Sequence, residues 1–320
     1  MVPTEAHTLD WNSDEGSGFV SIHGRDIFVS VRGPPRRPGQ PVVICEAGRG
    51  CTSYIWSAVQ LQAGKFVRIF AYDRAGMGRS QPGPSPRKAA VAAQDLSDLL
   101  DSANISGPYV LVCHSYGGIL AREFLHIRND DVAGIIFVDT ITERYSSDEP
   151  LPMAEFGAVL GNLDFWEISG LAKRQSLSPV DWELSLKMWP RDRETFAAEA
   201  GAVTISEQEL AGKNQFDGQV MGNRPLVVIK GNATQEFLAV LNAGEAAGNG
   251  TASQRAILRE YTKTSEATRE RHQREQLKLS TNSRYVVAQH GYHSVQVSEP
   301  ELVVAEIETM LRRLESIGTA

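Results

Sequence analysis

The sequence predicts an α/β protein: a doubly wound, mostly parallel sheet with helices on both faces and a helical cap inserted after an inner strand. Three observations carry this. Short, largely apolar runs rich in β-branched residues recur at 42–45, 67–72, 109–113, 135–138, 226–229 and 285–288, the pattern of strands buried on both faces. Helical patterns alternate with them, which is the rhythm of strand–helix–strand units. The rhythm then fails between Thr140 and Gly222, a stretch too long for a loop.

Taken in order, residues 19–31 alternate around His23-Gly24 and read as a hairpin. A Pro/Arg/Gly loop at 33–41 leads into the first buried run. A helix over 89–102 carries Val91, Leu96, Leu99 and Leu100 on one side, and another over 118–127 directly follows Ser115. Ser298-Glu299-Pro300 starts a last helix over 299–314, with Val303, Val304, Ile307, Met310 and Leu311 on its apolar face. Residues 1–140 and 223–320 are expected to form the core. Residues 141–222 are expected to form the cap, with helices at 151–160, 180–189 and 193–200 and with Trp166, Trp182 and Trp189. The charged stretch 252–280 reads as a second insertion, a solvated helix.

Composition narrows the partners. The chain has 320 residues, 42% of them hydrophobic, and a formal net charge of -7. With no basic block, nucleic acid is not an expected partner, because neutralising phosphates needs clustered cations. No run approaches the roughly 18 apolar residues that span a bilayer, so no membrane span is expected. The start of the chain lacks the charged and apolar regions of a signal peptide. Cys45, Cys51 and Cys113 form no Cys-x-x-Cys pair and fit reduced thiols in a cytoplasmic protein. Metal-ligand spacings and phosphate-binding glycine loops are absent, so no metal and no cofactor is expected. The expected partner is a small-molecule substrate, and a homodimer stays open as the assembly.

The chemistry sits at the ends of strands. Residues 110–118, Val-Leu-Val-Cys-His-Ser-Tyr-Gly-Gly, end a strand in a serine and begin a helix with glycines. So sharp a turn holds a serine in strained dihedrals with its hydroxyl exposed, as a nucleophile requires. Attack by Ser115 on a carbonyl creates an oxyanion that needs preorganised N–H donors. The backbone N–H of Tyr116 is one candidate. The N–H of Arg49, in the loop Cys45-Glu46-Ala47-Gly48-Arg49-Gly50 after an earlier strand, is the other. The base is sought between the last strand and the last helix, in Gln289-His290-Gly291-Tyr292-His293. His293 is preferred and His290 is its rival. His114 is expected to point away from the Ser115 hydroxyl and to pack on neighbouring loops.

Together these segments resemble the α/β-hydrolase superfamily over nearly the whole chain. Tyr72-Asp73-Arg74-Ala75-Gly76-Met77-Gly78-Arg79-Ser80 is similar to the family's turn after an early strand, where the resemblance makes Asp73 structural. Cys113 stands where the family more often has glycine, and Ala47-Gly48 where it usually has His-Gly. Many members carry the triad acid after the strand matching 226–229, but here Lys230-Gly231-Asn232-Ala233-Thr234-Gln235-Glu236 follows, without an Asp. The strand before it ends in Val138-Asp139. That placement resembles the branch with haloalkane dehalogenases and fungal resorcylic-lactone hydrolases, which implies Asp139 as the acid, with Glu236 and Glu143 as alternatives. Dehalogenases and epoxide hydrolases of this fold use an Asp nucleophile, and Ser115 argues against both. The resemblance implies a serine hydrolase acting on an apolar ester or lactone of moderate size through Ser115, His293 and Asp139. Phe165, Trp166, Trp182 and Trp189 would line its pocket if they face the serine. Non-hydrolytic chemistry on the same fold and a non-catalytic binding protein remain as alternatives.

Overall fold

The computed structural model describes residues 9–148 and 150–318, with the side chains of residues 189–191, 317 and 318 outside the described set. Eight strands form one sheet: β1 (Gly16–Ile22), β2 (Arg25–Arg32), β3 (Val42–Glu46), β4 (Ile69–Tyr72), β5 (Tyr109–His114), β6 (Val132–Val138), β7 (Leu226–Lys230) and β8 (Ser283–Val287). Their order is β1-β2-β4-β3-β5-β6-β7-β8. β1 and β2 form an antiparallel hairpin, and β2 also pairs antiparallel with β4. All other pairings are parallel. His23 and Gly24 both take positive φ, 49° and 72°, which suits a two-residue hairpin turn matched to the twist of its strands.

The inner strands show why they read as unbroken apolar runs. Successive side chains point to opposite faces, and both faces are covered. Val42, Ile44, Leu111, Ile135, Phe137 and Val228 join one core, while Val43, Cys45, Val110, Val112, Ile136 and Val227 join the other. Helices α1 (Ser57–Ala63), α2 (Ala89–Ser102) and α3 (Gly117–Ile127) divide between them. Leu96, Leu99 and Leu100 of α2 and Phe124 and Leu125 of α3 cover the first face, and Val59 of α1 covers the second.

Between β6 and β7 lie α4 (Tyr145–Asp148), α5 (Met153–Leu160), α6 (Phe165–Ile168), α7 (Leu171–Arg174) and α8 (Pro179–Ala211). The two helices expected at 180–189 and 193–200 are one, α8, which spans 33 residues. It opens with Ser178 accepting the Asp181 N–H and with Pro179 in the first turn, both favourable at a helix start. Between β7 and β8 run α9 (Thr234–Ala246) and α10 (Ala252–Glu275), and α11 (Val295–Ser298) and α12 (Pro300–Gly318) close the chain. Val303, Ile307 and Met310 of α12 complete the second core.

The helix α10 differs from the solvated helix expected. Leu258, Tyr261, Ser265, His272 and Gln273 are buried, and only its other side is charged and wet. Leu258 and Tyr261 share a core with Val159 of α5 and with Val240 and Leu241 of α9. Among the described residues no helix is long and apolar enough to cross a membrane.

Candidate active site

Ser115 sits in the two-residue gap between β5 and α3 with φ of 54°, a left-handed conformation that costs a non-glycine residue energy. The surroundings hold it there. Its N–H donates to the Val138 carbonyl at 3.3 Å, and its carbonyl accepts from the Ile141 N–H at 3.1 Å. The two glycines after Tyr116 are required by close approach. A Cβ on Gly117 would lie 2.7 Å from the Glu46 carbonyl oxygen, and one on Gly118 would lie 2.5 Å from Cβ of Thr140. The start of α3 is thus pressed between the loop after β3 and the end of β6, and Ser115 is the partly exposed residue in this buried stretch.

Because β5 and β6 are neighbours, with His114 opposite Val138, the residues following the two strands emerge side by side. Asp139 is the first residue after β6 and also has positive φ, 43°. Its Oδ2 lies 2.7 Å from Nδ1 of His293, and Nε2 of His293 lies 3.0 Å from Oγ of Ser115. Its Oδ1 accepts the Gly231 N–H at 3.0 Å. Burial alone would raise the Asp139 pKa. The hydrogen bond and charge of His293, aided by Arg269 and the Gly231 N–H, outweigh it and hold the carboxyl below its ordinary range.

The loop carrying His293 is fixed mainly through its backbone. Glu299 Oε2 accepts from the N–H groups of His290 and Gly291 at 3.0 and 2.9 Å. The Gly291 carbonyl accepts from Asn232 N–H at 3.2 Å. Gly231 must be glycine, since a Cβ there would collide with the Tyr292 carbonyl. Glu236, the rival acid, is buried and accepts from the backbone N–H of His293 at 3.3 Å rather than from its ring. Burial raises its pKa. Glu143 is paired with Arg122, and the side chain of His290 is exposed.

His114 packs on the neighbouring loops, those carrying His293 and Gly48. Its Nε2 donates to the carbonyl of His293 at 3.1 Å, and the two rings stand 4.6 Å apart. Burial, helped by the charge His293 can carry, pushes its pKa down to about 3, so it stays neutral. Gly48 leaves room for it: a Cβ there would be 2.8 Å from Nδ1 of His114 and 3.1 Å from Cβ of Ser115. The loop after β3 therefore lies against the serine. Neither the Tyr116 N–H nor the Arg49 N–H donates a hydrogen bond among the described residues. Asp73 braces the turn behind this loop: Oδ1 accepts from N and Oγ of Ser53 at 2.8 and 2.7 Å, and Oδ2 from N and Nε of Arg79 at 3.0 Å.

Phe156, Phe165, Trp166 and Trp182 pack on one another in a chain of edge contacts. Phe165 stands 6.0 Å from Phe156 and 5.2 Å from Trp166, and Trp166 stands 6.0 Å from Trp182. Trp166 and Trp182 also pack, with Ile55, on a cluster of Ala58, Leu171, Leu177 and Val297. The side chain of Trp189 lies outside the described residues. A small cavity of about 30 Å³ lies instead among Tyr72, Arg74, Arg87, Lys88, Tyr116 and Glu199, and none of Phe165, Trp166 and Trp182 lines it. The sequence reasoning missed the supports Gly231, Arg74 and Glu199, and weighed Glu236 as a rival acid rather than as a support of the His293 backbone. Arg74 stood in a motif already singled out, but nothing local connected it to Glu199.

Known proteins bear on this geometry. The profile of the alpha/beta hydrolase family matches residues 42–306. A protein of Gibberella zeae described as an AB hydrolase superfamily protein is 30% identical over 301 residues, covering 90% of this chain and 92% of that one. The probable transporter efuK of Hormonema carpetanum is 32% identical over 310 residues, 95% of this chain but 44% of that protein, so the chain spans less than half its length. Among solved structures, a thermophilic esterase from Thermogutta terrifontis superposes with a TM-score of 0.59 at 17% identity, covering 93% of this chain and 99% of that one, a likeness of fold. The chain belongs to the alpha/beta hydrolase family, and hydrolase activity is the class of chemistry these likenesses support.

Proposed function

We propose that the protein is a serine hydrolase that cleaves an apolar ester or lactone of moderate size through an acyl-enzyme. The observation that carries this is the unbroken line from Asp139 through His293 to the strained, accessible Ser115, with steps of 2.7 and 3.0 Å. In the first half-reaction the Ser115 hydroxyl attacks the carbonyl while Nε2 of His293 takes its proton. Asp139 keeps the other imidazole proton on Nδ1 and stabilises the charge that the ring acquires. The N–H groups of Tyr116 and Arg49 receive the oxyanion. His293 then passes its proton to the leaving oxygen, and a water activated by the same ring releases the acyl group. Residues 141–222 act as the cap over this centre, and Phe165, Trp166 and Trp182 are its candidates for selecting the acyl or alcohol part.

A fluorophosphonate probe tests the nucleophile, and a turnover screen over aryl esters and lactones of graded size in ¹⁸O-labelled water tests the reaction. Labelling confined to Ser115 and one labelled oxygen in the released acid are expected. Labelling of another serine removes the nucleophile assignment. Product without labelled oxygen points to non-hydrolytic chemistry.

A further inference from the structure

The oxyanion loop is held from the cap. All five N–H donors of the Arg74 guanidinium are engaged, and each acceptor matters. One Nη1 proton goes to Oε1 of Glu46 at 2.8 Å and the other to the Ala47 carbonyl at 2.6 Å. Nη2 donates to the Gly48 carbonyl at 2.7 Å and to Oε2 of Glu199 at 3.1 Å, and Nε donates to Oε1 of Glu199 at 2.9 Å. Oε2 of Glu199 also accepts the Gly50 N–H at 3.4 Å. The three charged groups are almost fully buried: Glu46 is 2% exposed, Arg74 4% and Glu199 5%. Burial opposes the charge on Arg74, but Glu199 and Glu46 more than offset it and keep its pKa well above the ordinary value.

Peptide geometry turns this cluster into a device. In a trans peptide the carbonyl of one residue and the N–H of the next point in opposite directions. Fixing the Gly48 carbonyl on Arg74 therefore fixes the Arg49 N–H on the opposite side, away from Arg74. Two of the five bonds that hold the guanidinium, and a third bond to the loop at Gly50, come from Glu199 on α8, in the cap, 125 residues distant in sequence from Arg74. Phe196 of α8 also meets this loop, its ring 5.1 Å from Cζ of Arg49, but it touches the side chain and not the backbone that Arg74 holds. Two further residues of α8 dock elsewhere. Thr195 Oγ1 donates to the Gly76 carbonyl at 2.9 Å, and Ser206 Oγ accepts the Ala89 N–H at 3.0 Å. They seat the helix without touching residues 46–50.

We infer that Glu199 is a positioning residue for acyl transfer, setting the oxyanion donor of residue 49 through its own bonds to Arg74. This rests on the serine-hydrolase reading given above. Its action would be felt when charge develops on the carbonyl oxygen, and hardly at all in ground-state binding.

The test compares Glu199→Gln, Glu199→Ala and the docking control Thr195→Val. Rates on one aryl ester are normalised to sites titrated with a fluorophosphonate, and thermal melting is recorded alongside. A misplaced donor costs up to about 100-fold, so Glu199→Ala should lower kcat roughly 30–100-fold with KM within about threefold. Fluorophosphonate labelling should slow and arylboronate affinity should fall by similar factors. Glu199→Gln keeps an acceptor oxygen and should fall between Ala and wild type; being isosteric, it also serves if the Ala variant does not fold. Thr195→Val should lower the melting temperature but leave the titrated kcat within about twofold. The inference is overturned if the folded Glu199 variants keep wild-type titrated kcat and labelling rates, or if Thr195→Val loses as much as Glu199→Gln. A wild-type protein inert to both esters and fluorophosphonate would instead overturn the hydrolase reading, and this inference with it.

Discussion

Replacing Asp139 by Asn separates the two possible acids. The Asp139 carboxylate has one oxygen on the Gly231 N–H and the other on Nδ1 of His293. An amide at this position can keep only one of these relations intact. With its oxygen on Gly231, the NH₂ faces Nδ1 and forces the proton to Nε2, where it blocks proton transfer from Ser115. Turned over, it accepts from Nδ1–H but leaves the buried Gly231 N–H facing an NH₂ group, at a cost of about 1–3 kcal/mol. In that orientation the imidazolium also loses its charged partner, worth about 1.5–3 kcal/mol more. Together these come to roughly 2.5–6 kcal/mol, and the upper half of that range is a fall in kcat of about 10³–10⁴. Glu236→Gln should cost less than about tenfold, because the amide oxygen still accepts from the His293 backbone N–H. The assay is active-site-titrated kcat for both variants, with circular dichroism and melting to check folding. A folded Asp139→Asn variant near wild-type rate beside an inactive Glu236→Gln would refute the assignment.

Two further outcomes are expected. His293→Ala should abolish turnover while His290→Ala keeps most of it, since the His290 side chain is exposed and only its backbone is engaged; the opposite order, read in the same assay, would move the base. Glu207 on α8 is buried, accepts the Ser146 N–H at 3.3 Å, and has its pKa raised by burial from 4.5 to about 7. The folded state thus holds a proton that the unfolded chain has released, so Glu207 favours folding below 4.5 and loses that contribution as pH rises through about 7. Glu207→Gln should therefore raise the melting temperature by roughly 2–6 °C at pH 8.5 relative to its effect at pH 5, and an equal effect at both pH values would count against a buried acid.

The core sheet was legible because its inner strands are buried on both faces, a condition that writes itself into every position of runs such as 110–113 and 226–229. The serine, the histidine and the aspartate were legible because each follows a strand or lies between the last strand and the last helix. Element limits were less so. The stretches 180–189 and 193–200 read as two helices, yet a single helix runs through both, Pro190 included, although a proline removes an N–H and crowds the preceding turn. Helix α9 has a weak apolar pattern and follows a glycine-containing turn, and its burial is supplied by α5 and α10 rather than by the sheet. The Arg74–Glu199 contact could not be read at all. Ion pairs between distant segments leave no periodicity, and a glutamate on an amphipathic helix looks the same whether it meets water or a buried guanidinium.

The shared core of α5, α9 and α10 has a consequence for anyone who would re-engineer the protein. Val159 enters a cluster made by Val240, Leu241, Leu258 and Tyr261, and Gly244 lies so close to the Val159 backbone that a side chain there would collide with its carbonyl. Helix α5 on one side of β7 in the sequence and helices α9 and α10 on the other thus bury a single shared core. Transplanting one half from a homologue would leave an apolar face without its mate. A graft meant to change what the site accepts has to carry both halves and keep the turn between α9 and α10, where Asn249 Nδ2 donates to the Leu160 carbonyl at 3.1 Å and Thr251 caps α10.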